Sequence, residues 1–459
     1  MALVQIAEGP YISHIFGDAV TDMYRKHRGW LTAAVHHSIA WPERDVLIRY
    51  DREDYFLRGL KQQADKLSDA CITVRLTKEA DLYPTLNRIY RFTSILGWFK
   101  HGYVDVVGYI SGSHPALYSS GRPPYMPVMS SGPYGFNCNF MPVIKDENTR
   151  KALAFWREGL RLRHIHDGYS FLSFYKVIES QFKNGRARGA WINQSIPTLK
   201  GKAAERVREL GAAQLDVGEH IYQSGRCAVA HASLGGQLID PDIPEDRVRI
   251  ARDLDIVQAL AEKYIREELG VPDEMDVYRN RDALRPVYEY LHQNHIEELR
   301  NGGSVLRKKL GLNGLRVSIN HWPHEAPRAL QNLILSVASA HNGILDLRAT
   351  SKSGTISLGL LLAFPQRKAG TNLDVSGVLP TDQGGRPEDE IAFLEYQKAV
   401  IGNGIIEVQL PNSEKIVCEV VIPVNIDIGR TFAALDEKIT VLRVMQHNAT
   451  AKENNGHGV

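Results

Sequence analysis

The sequence predicts a multi-domain α+β protein. An N-terminal α/β region covers residues 1–145, a central all-helical bundle 146–270, a helical linker 271–303, a strand-rich C-terminal domain 304–446 and a disordered tail 447–459. Three observations carry this reading. The chain of 459 residues is about three times a typical domain length. Its character changes along the chain, from mixed strand and helix patterns to helical spacing throughout, and then to short β-rich runs between turn signals. Its apolar fraction of 43% and charged fraction of 24% are those of a folded protein with enough material for real cores.

In the first region, Ile72–Leu76 is a short β-rich run. Leu86, Ile89, Tyr90, Ile95, Leu96 and Phe99 fall near helical spacing, and Tyr103–Ile110 reads as a second strand. Residues 111–135, rich in Ser, Gly, Pro and Tyr, have the composition of a loop or linker. The central region opens with helices over Asn148–His164 and Tyr169–Phe182, the second with Phe171, Phe174, Tyr175, Ile178 and Phe182 on one stripe. A basic helix over Ser195–Leu210 and a small-residue helix over Glu219–Ser233 follow. Asp240-Pro-Asp-Ile-Pro-Glu-Asp places prolines and acids where a helix N-terminus favours them, and the helix it starts runs to Leu269 and stops at Gly270. A helix over Ala283–Arg300 closes at Asn301-Gly-Gly. Strands are expected over Leu333–Val337, Gly343–Arg348, Thr355–Ala363 and Gly404–Leu410. Lys415–Val424 completes a hairpin across Pro411-Asn-Ser, one helix over Pro387–Lys398 interrupts the strands, and a polar tail follows from His447.

Lys and Arg number 55 against 53 Asp and Glu, a net charge of +2 that neither argues for nor excludes nucleic acid. Cys71, Cys138, Cys227 and Cys418 are too far apart for a disulfide framework or a thiolate zinc site. The N-terminus lacks the features of a signal peptide, and no run approaches the roughly 20 apolar residues that span a bilayer, so a cytoplasmic protein without membrane contact is expected. A phosphate-cradling P-loop, a His-Glu-x-x-His zinc pair, a Gly-x-Ser-x-Gly elbow and a dinucleotide-binding glycine fingerprint are all missing from the sequence. No cofactor and no metal are expected.

Four constellations could carry chemistry. His164-Ile-His166-Asp167 offers metal ligands, but helical residues two apart point about 200° from one another, which favours a solvated helix end. His321-Trp-Pro-His324-Glu325 lacks a distant partner and reads as loop chemistry. Lys183, Arg186, Arg188, Lys200, Lys202, Arg206 and Arg208 form a basic stretch with Trp191 inside it: counter-charges for phosphate plus a stacking platform, or a solvated helix face. Arg226 and His231 sit among small residues in Ser224-Gly-Arg-Cys-Ala-Val-Ala-His-Ala-Ser233, where a neighbouring helix can approach closely. Chemistry alone would also accept a salt-bridged arginine and a histidine satisfied by a carbonyl.

Residues 146–270 resemble HEPN domains, helical bundles marked by an arginine, four to six residues, and a histidine; here four residues separate Arg226 from His231. Phe171-Leu-Ser-Phe-Tyr-Lys-Val-Ile-Glu179 is similar to the second long helix of that family, its acidic residue included. More narrowly, Tyr222–His231, the Asp-Pro-Asp-x-Pro-Glu-Asp run and the closing Ala-Glu-Lys-Tyr-Ile-Arg-Glu-Glu-Leu-Gly resemble bacterial proteins labelled methylamine utilisation protein MauJ. The HEPN resemblance implies a metal-independent endoribonuclease of stress or defence type, with Arg226, His231 and Glu179 as its site. Histidine would act as general base on a ribose 2′-hydroxyl and arginine would hold the scissile phosphate. On a continuous helix, residues five apart diverge by about 140° and rise about 7.5 Å. One copy therefore converges poorly, and a two-fold homodimer with a composite site is expected. Cys227 stands where active relatives often carry a polar residue, and a thiol is a weak hydrogen-bonding group. That departure keeps open a non-catalytic RNA- or nucleotide-binding or dimerisation protein. An accessory factor in amine metabolism is a third reading.

Overall fold

The computed structural model describes residues 12–13, 27–42, 45–59, 62–63, 66–67, 70–115, 136, 138, 140–163, 165–230, 239–240, 243–321, 326–401, 406–411, 415–418 and 428–456. The chain clusters into two compact units, the first built mainly from residues up to 279 and the second mainly from residue 280 onward.

In the first unit, β1 (Trp30–His37), β2 (Val46–Tyr50), β3 (Glu53–Arg58), β4 (Cys71–Arg75) and β5 (Val104–Gly112) lie in the order β2-β3-β4-β1-β5. Each neighbouring pair is antiparallel. Helix α1 (Leu82–Phe99) buries Leu86, Ile89, Phe92, Ile95, Leu96 and Phe99 and packs on the sheet. This corrects the α/β expectation for residues 1–145. Strands β4 and β5, joined by α1, run parallel to each other but are not neighbours in the sheet. In the structure β1 lies between β4 and β5 and runs antiparallel to both, and the alternation signal of β1 is hidden because six of its eight residues are buried.

Helix α2 (Glu147–Leu162) begins at Asp146, whose carboxylate accepts from the Thr149 amide at 2.7 Å. Its Trp156 ring lies 5.3 Å from Trp98 on α1 and 5.1 Å from Phe174 on helix α3 (Asp167–Glu179). Arg157 donates to the Tyr90 carbonyl at 2.9 Å. Residues on both sides of position 145 therefore share one core. Phe171, Phe174, Tyr175 and Ile178 are buried on α3, as the stripe predicts, and Phe182 is half-buried just beyond its end.

The basic stretch is two helices, α4 (Gly185–Ser195) and α5 (Gly201–Ala212), separated by a 3-10 turn that contains Pro197. The expected continuous helix over Glu219–Ser233 is also replaced. Helix α6 (Val217–His220) runs into a π-helical turn over Ile221–Cys227 and a short α-helical turn over Ala228–Ala230. Helix α7 (Pro244–Lys263) continues as a π-helical turn to Glu268 and ends before Gly270, whose φ of +64° favours glycine.

In the second unit, the helix expected over Ala283–Arg300 is broken. Pro286 sits in a 3-10 turn (Arg285–Tyr290), the backbone is extended at Leu291 and His292, and α8 (Gln293–Arg300) follows. Strands β6 (Arg316–His321), β7 (Leu333–His341), β8 (Ile344–Thr350), β9 (Ile356–Ala363), β10 (Lys368–Val378), β11 (Ile406–Gln409) and β12 (Lys415–Cys418) form one antiparallel sheet, ordered β10-β9-β8-β7-β6-β11-β12. Asn342 and Gly343, both at positive φ, make the two-residue turn between β7 and β8. Helix α9 (Pro387–Ile401) packs against α10 (Ile428–Gly456). Residues 447–456, read from composition as disordered tail, are the last turns of α10. Among the described residues no helix is long and apolar enough to cross a membrane.

Trp156 bridges α1 and α3, so Trp156→Ala is expected to cost about 3–5 kcal/mol in urea denaturation. Amide exchange should accelerate in both 82–99 and 167–179, on either side of the bridge.

Candidate functional site

Three helical segments bring charge together at the end of α3. The terminal residue of α3, Glu179, places one carboxylate oxygen 2.8 Å from Arg188 Nη1 on α4 and 3.1 Å from Arg226 Nη2 on the π-helical turn. The Arg188 guanidinium, 13% exposed, stands 5.4 Å from the Tyr175 ring centroid and 5.3 Å from that of Tyr222. Burial works against the charge of Arg226, but Glu179 and then Cys227 outweigh it and hold its pKa above the ordinary value. Burial pushes the Tyr175 hydroxyl up to about 12, so it stays a neutral donor. A cavity of about 320 Å³ opens beside this cluster, lined by Tyr175, Arg188, Asn193, Asp216, Glu219 and Tyr222.

The close approach of the π-helical turn to α3 depends on Gly225. A Cβ on Gly225 would stand 2.3 Å from the buried Phe171 ring, so only glycine allows this approach of the turn to α3. π-turns inside helices recur at functional sites. The turn is also fastened from α7. Asp253, whose side chain is 1% exposed, receives His220 Nε2 at 2.9 Å and Arg206 Nε at 2.8 Å. Arg249 Nη1 donates to the Ser224 carbonyl at 2.5 Å. Burial alone would raise the Asp253 pKa, yet the hydrogen bonds from His220 and Arg206 hold it below the ordinary carboxylate range.

Of the residues expected at the site, the structure unites Glu179, Arg188 and Arg226. His231 lies outside the described residues, as does His164. The angular offset expected between Arg226 and His231 assumed a continuous α-helix, and the π-turn replaces it. Lys183, Arg186, Lys200 and Lys202 are exposed. Trp191 is committed within the fold: its Nε1 donates to Glu268 at 3.0 Å and its ring meets Tyr264 edge-on at 4.9 Å. It is half-buried. His166 caps α3 by accepting from the Tyr169 amide at 3.2 Å, which accounts for it structurally. Of the His321–Glu325 cluster, only the strand backbone at His321 is described. No group of His, Cys, Asp or Glu among the described residues is arranged to hold a metal ion.

Residues 152–266 match the family model described as Methylamine utilization protein MauJ. That span contains Glu179, Arg188, Arg226, His220 and Asp253. Searches of the curated proteins and of the solved structures each found no match.

Sequence reasoning missed His220, Asp253 and the tyrosine pair around Arg188. A signal for Asp253 was present: it interrupts the apolar face of α7 between Ile250 and Val257, beside Leu254. An acid in that position must be paired. Asp253→Asn is expected to cost about 3–5 kcal/mol at neutral pH, because Arg206 loses its buried counter-charge. Since the folded Asp253 pKa is lowered, its contribution is present above the unfolded carboxylate pKa and is lost as pH falls through the folded value. Urea titrations should show that acid-side loss flattened in the variant.

Proposed function

We propose that residues 146–270 form a HEPN-type RNA-cleaving module that needs no metal. Arg226 and Arg188 hold a phosphodiester, and His231 is the general base for attack of the neighbouring 2′-hydroxyl. The observation that carries this reading is the sharing of one Glu179 oxygen by two guanidiniums, of which Arg188 also lines a cavity. Two guanidiniums outnumber the one carboxylate they share, and their forked donors suit phosphate oxygens. An RNA phosphate would replace Glu179 at one or both of them, which makes Glu179 a positioning residue. In the reaction the 2′-oxygen forms a bond to phosphorus, its proton passes to His231, and the bond from phosphorus to the 5′-oxygen breaks, the leaving oxygen taking a proton from water and a 2′,3′-cyclic phosphate remaining. Arg226 would stabilise the charge that gathers on the phosphoryl oxygens. The homodimer with a composite site rests on the HEPN resemblance.

A second reading has its own observation. Cys227 follows Arg226 and adds only a weak hydrogen-bonding group beside the phosphate position, which favours a module that binds RNA or nucleotide without cutting it. The MauJ match adds an accessory role in amine metabolism as a setting for that non-catalytic form.

Wild type, Arg226→Ala and His231→Ala, each incubated with RNA in EDTA, separate these readings. Cleavage with 2′,3′-cyclic phosphate ends, reduced by about 10²-fold or more in both variants, is expected. RNA left intact by wild type and bound equally by all three proteins sinks the cleavage reading.

A further inference from the structure

A second cavity of about 310 Å³ lies in the first unit, walled by residues of β2, β3, α1 and the start of α2. Arg88, Arg91, Arg150 and Arg157 line it, against Asp51 and Glu53. The carboxylates that answer these cations are divided or already engaged. Glu53 pairs with Arg88 at 2.6 Å, and Asp51 is taken by Lys145. Glu147 is split between Arg91 at 3.2 Å and Arg150 at 2.7 Å. Asp105 is split between Arg157 at 3.4 Å and Arg161. Among the residues that line the cavity, four arginines face two carboxylates, an excess of two positive charges on its wall.

The remaining wall is aromatic. Tyr55 and Phe92 stack at 4.1 Å, and Tyr50 meets Phe92 at 5.7 Å. The Tyr50 hydroxyl is fixed by donating to the Pro142 carbonyl at 3.2 Å and accepting from the Ile144 amide at 3.1 Å. Arg157 is equally fixed, with Nη1 donating to Tyr90 O, Thr93 Oγ1 and Ser94 Oγ, all within 3.0 Å. Arg88 and Arg91 lie at the rim, with side chains 40% and 49% exposed, Arg88 also donating to Thr85 Oγ1 at 2.9 Å.

We propose that this cavity binds a small ring compound carrying a phosphate monoester, of the nucleoside monophosphate class. The monoester dianion matches the excess of two positive charges, and arginine forks grip its oxygens. The ring lies against the tyrosine–phenylalanine wall. The volume is at the small end of the roughly 300–1,000 Å³ range of ligand pockets, which suits a mononucleotide and not a strand. The lining shares no residue with the cavity beside Arg188, so the two sites fail independently.

Isothermal titration of the full chain with AMP, GMP, CMP and UMP, beside adenosine and inorganic phosphate, tests this. At least one monophosphate should bind saturably at one per chain, about tenfold or more tighter than adenosine or phosphate alone. Arg91→Gln and Arg88→Gln, rim changes with little expected effect on melting temperature, should each weaken that binding about tenfold. Arg226→Ala should leave it unchanged. Saturable binding of no monophosphate overturns the proposal. So does affinity indifferent to both rim variants, affinity lost in Arg226→Ala, or adenosine or phosphate binding as tightly as the monophosphate.

Discussion

Glu179 must answer two guanidiniums with one carboxylate, and the helices around it are arranged to make that sharing tolerable. Arg188 offsets part of its burial by standing over the rings of Tyr175 and Tyr222. Arg226 reaches the same oxygen from a π-helical turn that could not lie so close to α3 if residue 225 had a side chain. The shared acid holds two cations together, one of which, Arg188, lines a cavity. A solvated salt bridge does not do this, because water and counter-ions would screen it.

The second constraint acts one layer further out. Asp253 gathers Arg206 and His220 from α5 and α6, and Arg249 holds the Ser224 carbonyl. The π-turn is thereby fixed at its beginning and its middle, and Arg226 inherits a defined position from it. A buried acid with several cationic partners contributes little net stability compared with a packed apolar core. Its role here is geometric, since removing it leaves charges that cannot be buried alone.

Much of the bundle was legible in the sequence because its helices carry strong apolar stripes. Phe171, Phe174, Tyr175 and Ile178 fall on one face of α3, and Gly270 ends α7 in the left-handed conformation. The strands of the second unit were legible for the same reason, as alternation along β7 and β8. What escaped was context. Strand β1 is buried nearly along its whole length, so it has no alternation to read. The close approach of the π-turn to α3 depends on how Gly225 meets a ring fifty-four positions earlier, which spacing alone does not encode. At the site, Arg226 and Glu179 entered through a family resemblance. Arg188 appeared only as one member of a basic stretch, because nothing local distinguishes a cation that joins an acid nine residues away from its solvated neighbours.

The claim on which the rest turns is that Glu179 occupies guanidiniums that an RNA phosphate can use. Its most direct measurement is the affinity of a short single-stranded RNA for wild type and Glu179→Gln across a salt series. Freeing the two arginines should tighten binding several-fold and steepen the salt slope by about 0.7 for each further phosphate that the freed arginines neutralise. Affinity and slope unchanged, or binding weakened, would contradict the account.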